Sequence, residues 1–493
     1  MSFWKQMLAV KSIDVLLAEA AGEHQLRRVL GPVSLSALGV GAIIGAGIFV
    51  LTGLAAKEFA GPGLVLSFIV AGTGCALAAL CYAEFASTVP VAGSAYAYAY
   101  ATLGELIAWI IGWDLVLEYA VASSTVAYGW SHYFLSLLGL FGITLPKAWT
   151  AAPFDYDPTV GRWLATGSVC NLPAAFIVIA VTVVLVIGIR ESARFNAAMV
   201  LLKVAVVLFV IVVGAAYVEP KNWQPFLPYG WGGVMRGAGY IFFAYIGFDS
   251  VSTHAEEARN PQRDVPIGII TSLVTCTILY VAVAAVLTGM VPFNEISVDA
   301  PVADAFSRHG LQAATLLISV GAVVGITSVL LVMLLSQARV LFAMARDGLI
   351  PRSFFAAVHP RFRTPHKATI LTGGIVSVIA AVFPLKLLAD LVNIGTLMAF
   401  VIVCASVLIL RRTQPTLHRP FRTPFVPFVP LAGIAMNVAM MLSLGWENWL
   451  RLAVWLAVGL VIYLMYGRHR SVMALSRELA ATGVSGGGRL GDV

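Results

Sequence analysis

The chain has 493 residues, of which 60% are hydrophobic and only 11% charged, and its formal net charge is +7. Soluble domains carry about 25% charged residues, so this composition excludes an ordinary soluble protein and indicates a membrane protein with several spans. The positive charge does not indicate nucleic-acid binding, because an excess of lysine and arginine in cytoplasmic loops is typical of multi-pass proteins. The five cysteines lie mostly in apolar runs without a metal-ligand spacing, so we expect neither a metal site nor a cofactor.

Residues 1–30 are amphipathic and charged, and they lack the shape of a cleavable signal. We expect this segment to lie on the cytoplasmic surface of the membrane. Twelve apolar spans follow, so the predicted fold is all-α. The spans are 33–57, 62–86, 102–131, 172–190, 195–218, 233–256, 266–291, 311–338, 367–384, 388–410, 425–444 and 450–467.

Lysines and arginines predict the orientation of these spans in the cell membrane. With the N-terminus inside, 22 of the 31 basic residues fall on the inner side and eight on the outer side, while Lys203 lies within span five. Both termini are therefore predicted to be cytoplasmic. The polar segment 143–171 is predicted to be an external loop.

Span one contains the stretch GVGAIIGAGIF, with glycines at Gly39, Gly41, Gly45 and Gly47. Glycine costs a helix about 1 kcal/mol relative to alanine, so the pattern predicts a helix that opens near the middle of the membrane. An opened helix leaves N–H and C=O groups unpaired, which lipid does not tolerate unless they line a cavity or are covered by protein. The stretch therefore predicts a place for something small and polar.

Span six repeats this pattern, because GYIFFAYIGFDSVSTHAEE mixes apolar residues with a glycine, an aspartate and hydroxyl residues. The two interrupted spans are five apart, so spans one to five and six to ten predict a five-plus-five inverted repeat with discontinuous helices one and six. Such repeats are typical of secondary transporters. We predict a transport core at 31–411, spans eleven and twelve at 412–470, and a cytoplasmic tail at 471–493 that is disordered at its end.

Lys203 is the most unusual charge within a span, and an ionisable residue at membrane depth is by default a functional hypothesis. As a cation near two broken helices, it stands where a sodium ion would suit, or it releases and takes up a proton. The alternative is a structural tether to backbone carbonyls.

Three acidic residues in the spans have both functional and structural interpretations. Glu118, four residues after Asp114, lines a substrate cavity, carries protons, or makes a structural hydrogen bond. Asp249 follows the break in span six, where it orients the unwound segment, pairs with a cation, or caps it locally. Glu84 lies near the inner end of span two, where a structural or gating role is favoured over substrate contact.

The stretches GAIIGAGIF, GWDLVLEYAVASSTVAYGWS, FFAYIGFDSVSTHAEEARNPQRDVPIGI and ARVLFAMARDGLIP resemble the amino acid–polyamine–organocation (APC) superfamily, and in particular bacterial homologues of its cationic amino acid transporter group. The resemblance covers about residues 30 to 470. It implies transport of L-amino acids and the inverted-repeat fold. It leaves room for a small membrane subunit or a bound lipid as a further partner.

The resemblance also implies residue roles. Backbone amides of Ala46, Gly47 and Ile48 would hold the substrate carboxylate, because helix N-termini attract anions. The substrate ammonium would be held by the carbonyls of Ile43, Phe243, Ala244 and Ile246. Lys203 matches the lysine of proton-coupled bacterial members, which implies proton symport.

Met333 of span eight is an apolar residue in an apolar helix, so a core position is its ordinary interpretation. By resemblance it stands where mammalian members carry a serine, and a thioether there shortens the side-chain pocket. We therefore predict a permease for neutral rather than cationic amino acids, coupled to protons. The alternatives are an exchanger or a cationic amino acid transporter without net proton coupling. A sensor would need a signalling domain, and an enzyme would need clustered acids or histidines at depth or, for nucleotide hydrolysis, a phosphate-binding loop. The sequence shows none of these patterns, so both alternatives are disfavoured.

Overall fold

The structure is a computed structural model, and it describes residues 7, 9–12, 30–89, 94–157, 162–188 and 193–473. Most of the predicted surface segment at 1–30 and of the predicted tail at 471–493 lies outside the described residues.

The described residues form a bundle of α-helices. In chain order the principal helices are α1 (Pro32–Ile43), α2 (Leu64–Thr88), α3 (Ser94–Thr102), α4 (Glu105–Leu140), α5 (Leu172–Ile187), α6 (Ala193–Gly214), α7 (Gly230–Ile241), α8 (Pro261–Met290), α9 (Pro301–Arg308), α10 (Gln312–Arg346), α11 (His366–Val382), α12 (Leu385–Thr413), α13 (Phe428–Ser443) and α14 (Trp446–Ile462).

Seven helical stretches of the described residues are long and apolar enough to cross a membrane, and α5, α11 and α13 are shorter apolar helices. The bundle exposes large apolar side chains, as at Phe176, Ile179 and Val183 of α5, each more than half exposed. Such a surface suits lipid rather than water. A helical segment lies over each predicted span, but α5, α11 and α13 have only 16 or 17 residues. The twelve-span topology and the inverted repeat therefore stay predictions.

Small residues bring the central helices close together. α8 packs against α1 and α2, and α4 packs along α10 and α12. An ideal Cβ on Gly39 of α1 would lie 2.5 Å from the Ser272 hydroxyl oxygen of α8, and one on Gly112 of α4 would lie 2.8 Å from the Met344 sulfur of α10. Close backbone approach at small residues is the usual way in which helices associate within membranes.

The predicted external loop at 143–171 contains a short hairpin. Strands β1 (Phe154–Asp157) and β2 (Arg162–Ala165) pair antiparallel, with Phe154 opposite Ala165. Composition predicted the loop but not the hairpin, which is only four residues long on each side.

Both ends of the described chain meet at Asp347, just after α10. The Lys11 ammonium lies 2.9 Å from Oδ1 of Asp347, and the Tyr96 hydroxyl donates to its Oδ2 at 2.6 Å. The Val472 N–H donates to the Asp347 carbonyl at 3.0 Å. Nearby, Glu105 accepts from the Tyr463 hydroxyl at 2.9 Å. Segments at opposite ends of the sequence are thus joined to the same corner of the bundle.

Candidate functional site

The first helix is interrupted directly after α1. Ile44 has extended backbone (φ −72°, ψ 102°), and the next helical bond runs from the Phe49 N–H to the Gly45 carbonyl at 3.3 Å. A helix that starts at Gly45 leaves its first N–H groups, those of Ala46, Gly47 and Ile48, without intrahelical partners. All three residues are buried. The donors that sequence reasoning proposed for an anion are therefore at the start of the second half-helix.

The four glycines of this span do two different things. Gly39 and Gly41 lie inside α1, where an ideal Cβ on Gly41 would be 2.6 Å from Val200 of α6. These two allow α8 and α6 to approach α1, while the predicted opening of the helix lies at the later glycines. Gly45 is at the interruption itself, and Gly47 follows it. None of the four has a positive φ.

The second interruption lies after α7. A 3₁₀ turn at Phe242–Tyr245 follows that helix, Ile246 is extended, and helical backbone resumes at Ser250–Thr253. Gly247 has φ 126°, a conformation that favours glycine. The turn leaves the backbone carbonyls in this region outside a regular α-helix.

The two interruptions touch each other. An ideal Cβ on Gly47 would lie 2.3 Å from the Ala244 Cα, and one on Gly247 would lie 2.8 Å from the Ala42 carbonyl carbon. The N–H groups that begin the second half-helix are thus beside the carbonyls of the unwound turn. Such a pair suits a small zwitterion, because helix N-termini favour anions and unwound carbonyls favour cations.

The four carbonyls predicted to accept an ammonium differ in what they already bind. The Ile43 carbonyl accepts from the Tyr280 hydroxyl at 2.8 Å, and the Phe243 carbonyl accepts from the Ile246 N–H at 3.1 Å. A carbonyl has a second lone pair, so neither is excluded as an ammonium acceptor. Ala244 and Ile246 are buried at the same turn.

Lys203 is buried and reaches α1. Its Nζ donates to the Gly41 carbonyl at 2.5 Å, two residues before α1 ends. Its aliphatic stem lies over Gly325 of α10, where an ideal Cβ would be 3.3 Å from the lysine Cγ. The contact is the carbonyl tether that sequence reasoning gave as an alternative. Because it holds the end of an interrupted helix, it is also suited to organise the site.

Asp249 joins the second interruption to α4. Its Oδ1 accepts from the Gly247 N–H at 3.1 Å, and its Oδ2 accepts from the Tyr119 hydroxyl at 3.1 Å. A carboxylate that holds the N–H of Gly247 fits the interpretation that Asp249 orients the unwound segment.

Glu118 is buried on α4, one turn from the buried Asp114. Among the described residues, Oε2 of Glu118 and both carboxylate oxygens of Asp114 have no hydrogen-bond partner. Asp114 packs against Gly395 of α12, where an ideal Cβ would lie 2.6 Å from Oδ1. Sequence reasoning noted Asp114 only as a neighbour of Glu118, although the spacing of four residues was the signal for a pair.

Met333 is buried on α10, one turn after Val329. Val329 contacts the first interruption, because an ideal Cβ on Gly45 would be 2.8 Å from its Cγ2. One turn after Met333, the Gln337 amide donates to the Val116 carbonyl of α4 at 3.2 Å. Residues four apart share a helix face, so Met333 is on the face that α10 turns towards the interruption and α4.

Glu84 lies in an ion-pair network that fastens α2 to the end of α12. Arg411 donates to both of its carboxylate oxygens, at 3.1 and 2.7 Å, and Arg419 Nε lies 3.3 Å from Oε1. The Thr423 N–H donates to Oε2 at 2.7 Å. These partners satisfy the carboxylate, which favours the structural role over a substrate contact. Sequence reasoning missed both arginines because they are more than 300 residues away.

Two half-helices in contact within an apolar bundle, with unpaired N–H groups beside unwound carbonyls, define the class of membrane transporters with discontinuous helices. A family model described as amino acid permease matches residues 30–466. The chain belongs to this family, in the APC superfamily, and is therefore a multi-pass membrane protein of a transporter family.

The chain is similar to several permeases and transporters. It is 52% identical to the branched-chain amino acid permease BcaP of Bacillus subtilis over 462 residues, covering 94% of this chain and 97% of the relative. It is 48% identical to the methylthioribose transporter of the same organism, covering 94% and 98%. It is 40% identical to the vacuolar cationic amino acid transporter 4 of Arabidopsis thaliana, covering 82% and 67%.

Proposed function

We propose that this permease imports neutral L-amino acids across the cell membrane together with protons. It does so by alternating access, in which a central site opens first to one side of the membrane and then to the other. In this proposal the twelve spans, with both termini cytoplasmic, form a five-plus-five inverted repeat at 31–411 and two further spans at 412–470. Spans one, two, six and seven rock against the rest of the bundle.

The contact between the two interruptions is the observation that carries the proposal. The amino acid carboxylate binds the N–H groups of Ala46, Gly47 and Ile48, and the ammonium binds carbonyls of Phe243, Ala244, Ile246 and Ile43. Every α-amino acid presents this zwitterion. The backbone groups therefore supply recognition common to all substrates, and the side chain is selected elsewhere.

Met333 supports the choice of neutral side chains. A buried thioether on the face near the first interruption offers apolar contact and no partner for a cation, so a charged side chain there costs several kcal/mol. The relative named for branched-chain amino acids is in keeping with this preference, while the relatives named for cationic amino acids make arginine the necessary comparison.

Lys203 and Glu118 support proton coupling. Lys203 holds the end of α1 through the Gly41 carbonyl, and a neutral amine would hold that carbonyl less strongly than an ammonium. Glu118 adds a buried carboxyl with an unpartnered oxygen among the described residues. Loss or gain of one proton at Lys203 would change how strongly α6 holds the end of α1.

Uptake into proteoliposomes tests the proposal. Labelled leucine, alanine and arginine are compared with and without an inward proton gradient. We expect the gradient to drive accumulation of the neutral amino acids, and Lys203→Ala to abolish that accumulation. Lys221→Ala is the matched control, because that lysine is 78% exposed and forms an ion pair with the exposed Glu219. Uptake that needs sodium and ignores the pH gradient, or exchange without net accumulation, would refute proton symport.

The methylthioribose relative makes a second substrate worth testing. Methylthioribose is uncharged and lacks the carboxylate–ammonium pair that the two interruptions suit. We therefore expect it to compete poorly with leucine, and strong competition would contradict zwitterion recognition.

A further inference from the structure

A small cavity of about 70 Å³ lies between α1, α6, α10 and the segment after the second interruption. Its lining includes Gly41, Met199, His254, Ser328, Ser336 and Arg339. At about 30 Å³ per molecule, it has room for about two water molecules, and its hydroxyl, imidazole and guanidinium groups offer them polar partners. None of the roles described so far uses it.

The cavity begins where Lys203 is held. Gly41 lines it, and the carbonyl of that residue accepts the Lys203 Nζ–H. Ser328 lines it from α10 and donates to the carbonyl of Gly325, the residue over which the lysine stem lies. The cavity is therefore lined by Gly41, whose carbonyl holds the lysine, and by Ser328, which is bonded to the residue beneath the lysine stem.

Ser328, Ser336 and Arg339 form a polar stripe on the face of α10 that lines the cavity, where Leu331, Val332 and Leu335 lie between them. Eleven residues of helix correspond to about 16 Å. In the proposed orientation, α10 runs inward, so Arg339 is the cytoplasmic end of this stripe and is only partly buried. The cavity thus points from the lysine towards the cytoplasm.

His254 faces the same cavity with a defined tautomer. Its Nδ1 lies 2.9 Å from the Ser250 carbonyl oxygen. A carbonyl only accepts hydrogen bonds, so Nδ1 carries the hydrogen in the neutral ring and Nε2 carries the lone pair. A neutral imidazole in this state takes a proton at Nε2 without losing its bond to Ser250.

We propose that this cavity is the path by which Lys203 exchanges its proton with the cytoplasm, and that His254 relays that proton. The inference rests on the proposed proton symport. One N–H bond of the Lys203 ammonium breaks, water carries the proton, and an N–H bond forms at Nε2 of His254. The imidazolium then returns the proton to water on the Arg339 side. The sequence is proton transfer alone, and no group is oxidised or reduced.

The charged groups around the relay favour release over storage. Arg339 faces His254 from α10, and Lys203 reaches the cavity wall from α6. Arg339 is a permanent cation on the same cavity, so it repels an imidazolium at His254. A proton that reaches His254 therefore moves on.

His254→Ala and His254→Gln test the relay in proteoliposomes that contain a pH-sensitive dye. Two rates are measured in each variant: leucine uptake with its accompanying proton flux, and leucine–leucine exchange at equal pH. We expect proton-coupled uptake to fall about 100-fold, the lower end of the range for loss of a proton-transfer group, while exchange stays within about twofold of wild type. Added imidazole should restore proton flux in His254→Ala. His418→Ala, at an exposed histidine, is the matched control and should behave as wild type.

Two results would overturn the relay. One is proton-coupled uptake at the wild-type rate in both His254 variants. The other is an equal loss of uptake and exchange that imidazole does not restore, since a merely structural histidine would give it. If wild-type protein moves leucine without any proton flux, proton symport itself fails and the relay fails with it. If the wild-type protein is proton-coupled and both His254 variants keep its rate of proton-coupled uptake, the relay is refuted while proton symport stands.

Discussion

Gly47→Ala should separate the two interruptions on which substrate recognition depends. The added methyl carbon would lie 2.3 Å from the Cα and 2.5 Å from the Cβ of Ala244. Ordinary contacts between such carbons begin near 3.4 Å, so the two backbones must move apart by about 1 Å. Side-chain rotation does not relieve this clash, because the nearest atom of Ala244 belongs to its backbone.

The magnitude follows from the size of that displacement. Overpacking a buried site costs about 1–3 kcal/mol, so the apparent melting temperature of purified protein should fall by a few degrees. Transport should suffer more, since a misplacement of about 1 Å in a binding constellation costs about 100-fold. We therefore expect leucine uptake in proteoliposomes to fall by about two orders of magnitude while the protein still elutes as a folded species.

Gly374→Ala is the control for this experiment. Gly374 is an exposed residue of α11, and an ideal Cβ there meets no atom within 4 Å. In an open helical position alanine is better than glycine by about 1 kcal/mol, so this variant should keep transport and gain slight stability. Wild-type uptake kinetics in Gly47→Ala would refute the reasoning, because the contact would then have no bearing on the site.

Three further variants probe single contacts. Tyr280→Phe removes the hydroxyl that binds the Ile43 carbonyl at 2.8 Å. Because a net hydrogen bond is worth about 1 kcal/mol, the KM for leucine should change severalfold while the yield of folded protein stays close to wild type. An unchanged KM would contradict a role for that carbonyl. Met333→Ser should lower leucine kcat/KM about tenfold and raise arginine uptake, and a variant with wild-type selectivity would remove Met333 from specificity. Glu84→Gln leaves Arg411 and Arg419 beside a neutral amide. Because Arg411 is partly exposed, we expect the stability of the protein to fall by about 2 kcal/mol, less than for a deeply buried pair. Thermal stability equal to wild type would show that the network is dispensable.

The positions of the helix interruptions were predictable from sequence because they are local. A cluster of glycines within an apolar span, and a glycine followed by an aspartate in another, weaken a helix wherever it packs. The interruptions at Ile44 and Gly247 lie within the two predicted stretches. What the glycines do individually was not predictable, since Gly39 and Gly41 serve contacts with α8 and α6 that only the assembled bundle creates.

The partners of the buried charges depend on tertiary structure in the same way. An ionisable residue in an apolar span is visible in sequence, as Lys203 and Glu84 are. Its partner can be a backbone carbonyl, which has no sequence signal, or an arginine more than 300 residues away. The relay histidine was overlooked for a related reason: His254 follows the short helical turn Ser250–Thr253, and its significance depends on a cavity whose other walls are α1, α6 and α10.

The corner at Asp347 has a consequence for how the protein is made. Its carboxylate binds Lys11, which is synthesised long before Asp347, while its carbonyl accepts the Val472 N–H, which is synthesised after α14. The first helices must therefore wait in the membrane with this corner incomplete until α14 has been inserted. A chain that stops short of residue 472 would lack that contact, so the corner is completed only after α14 has been synthesised.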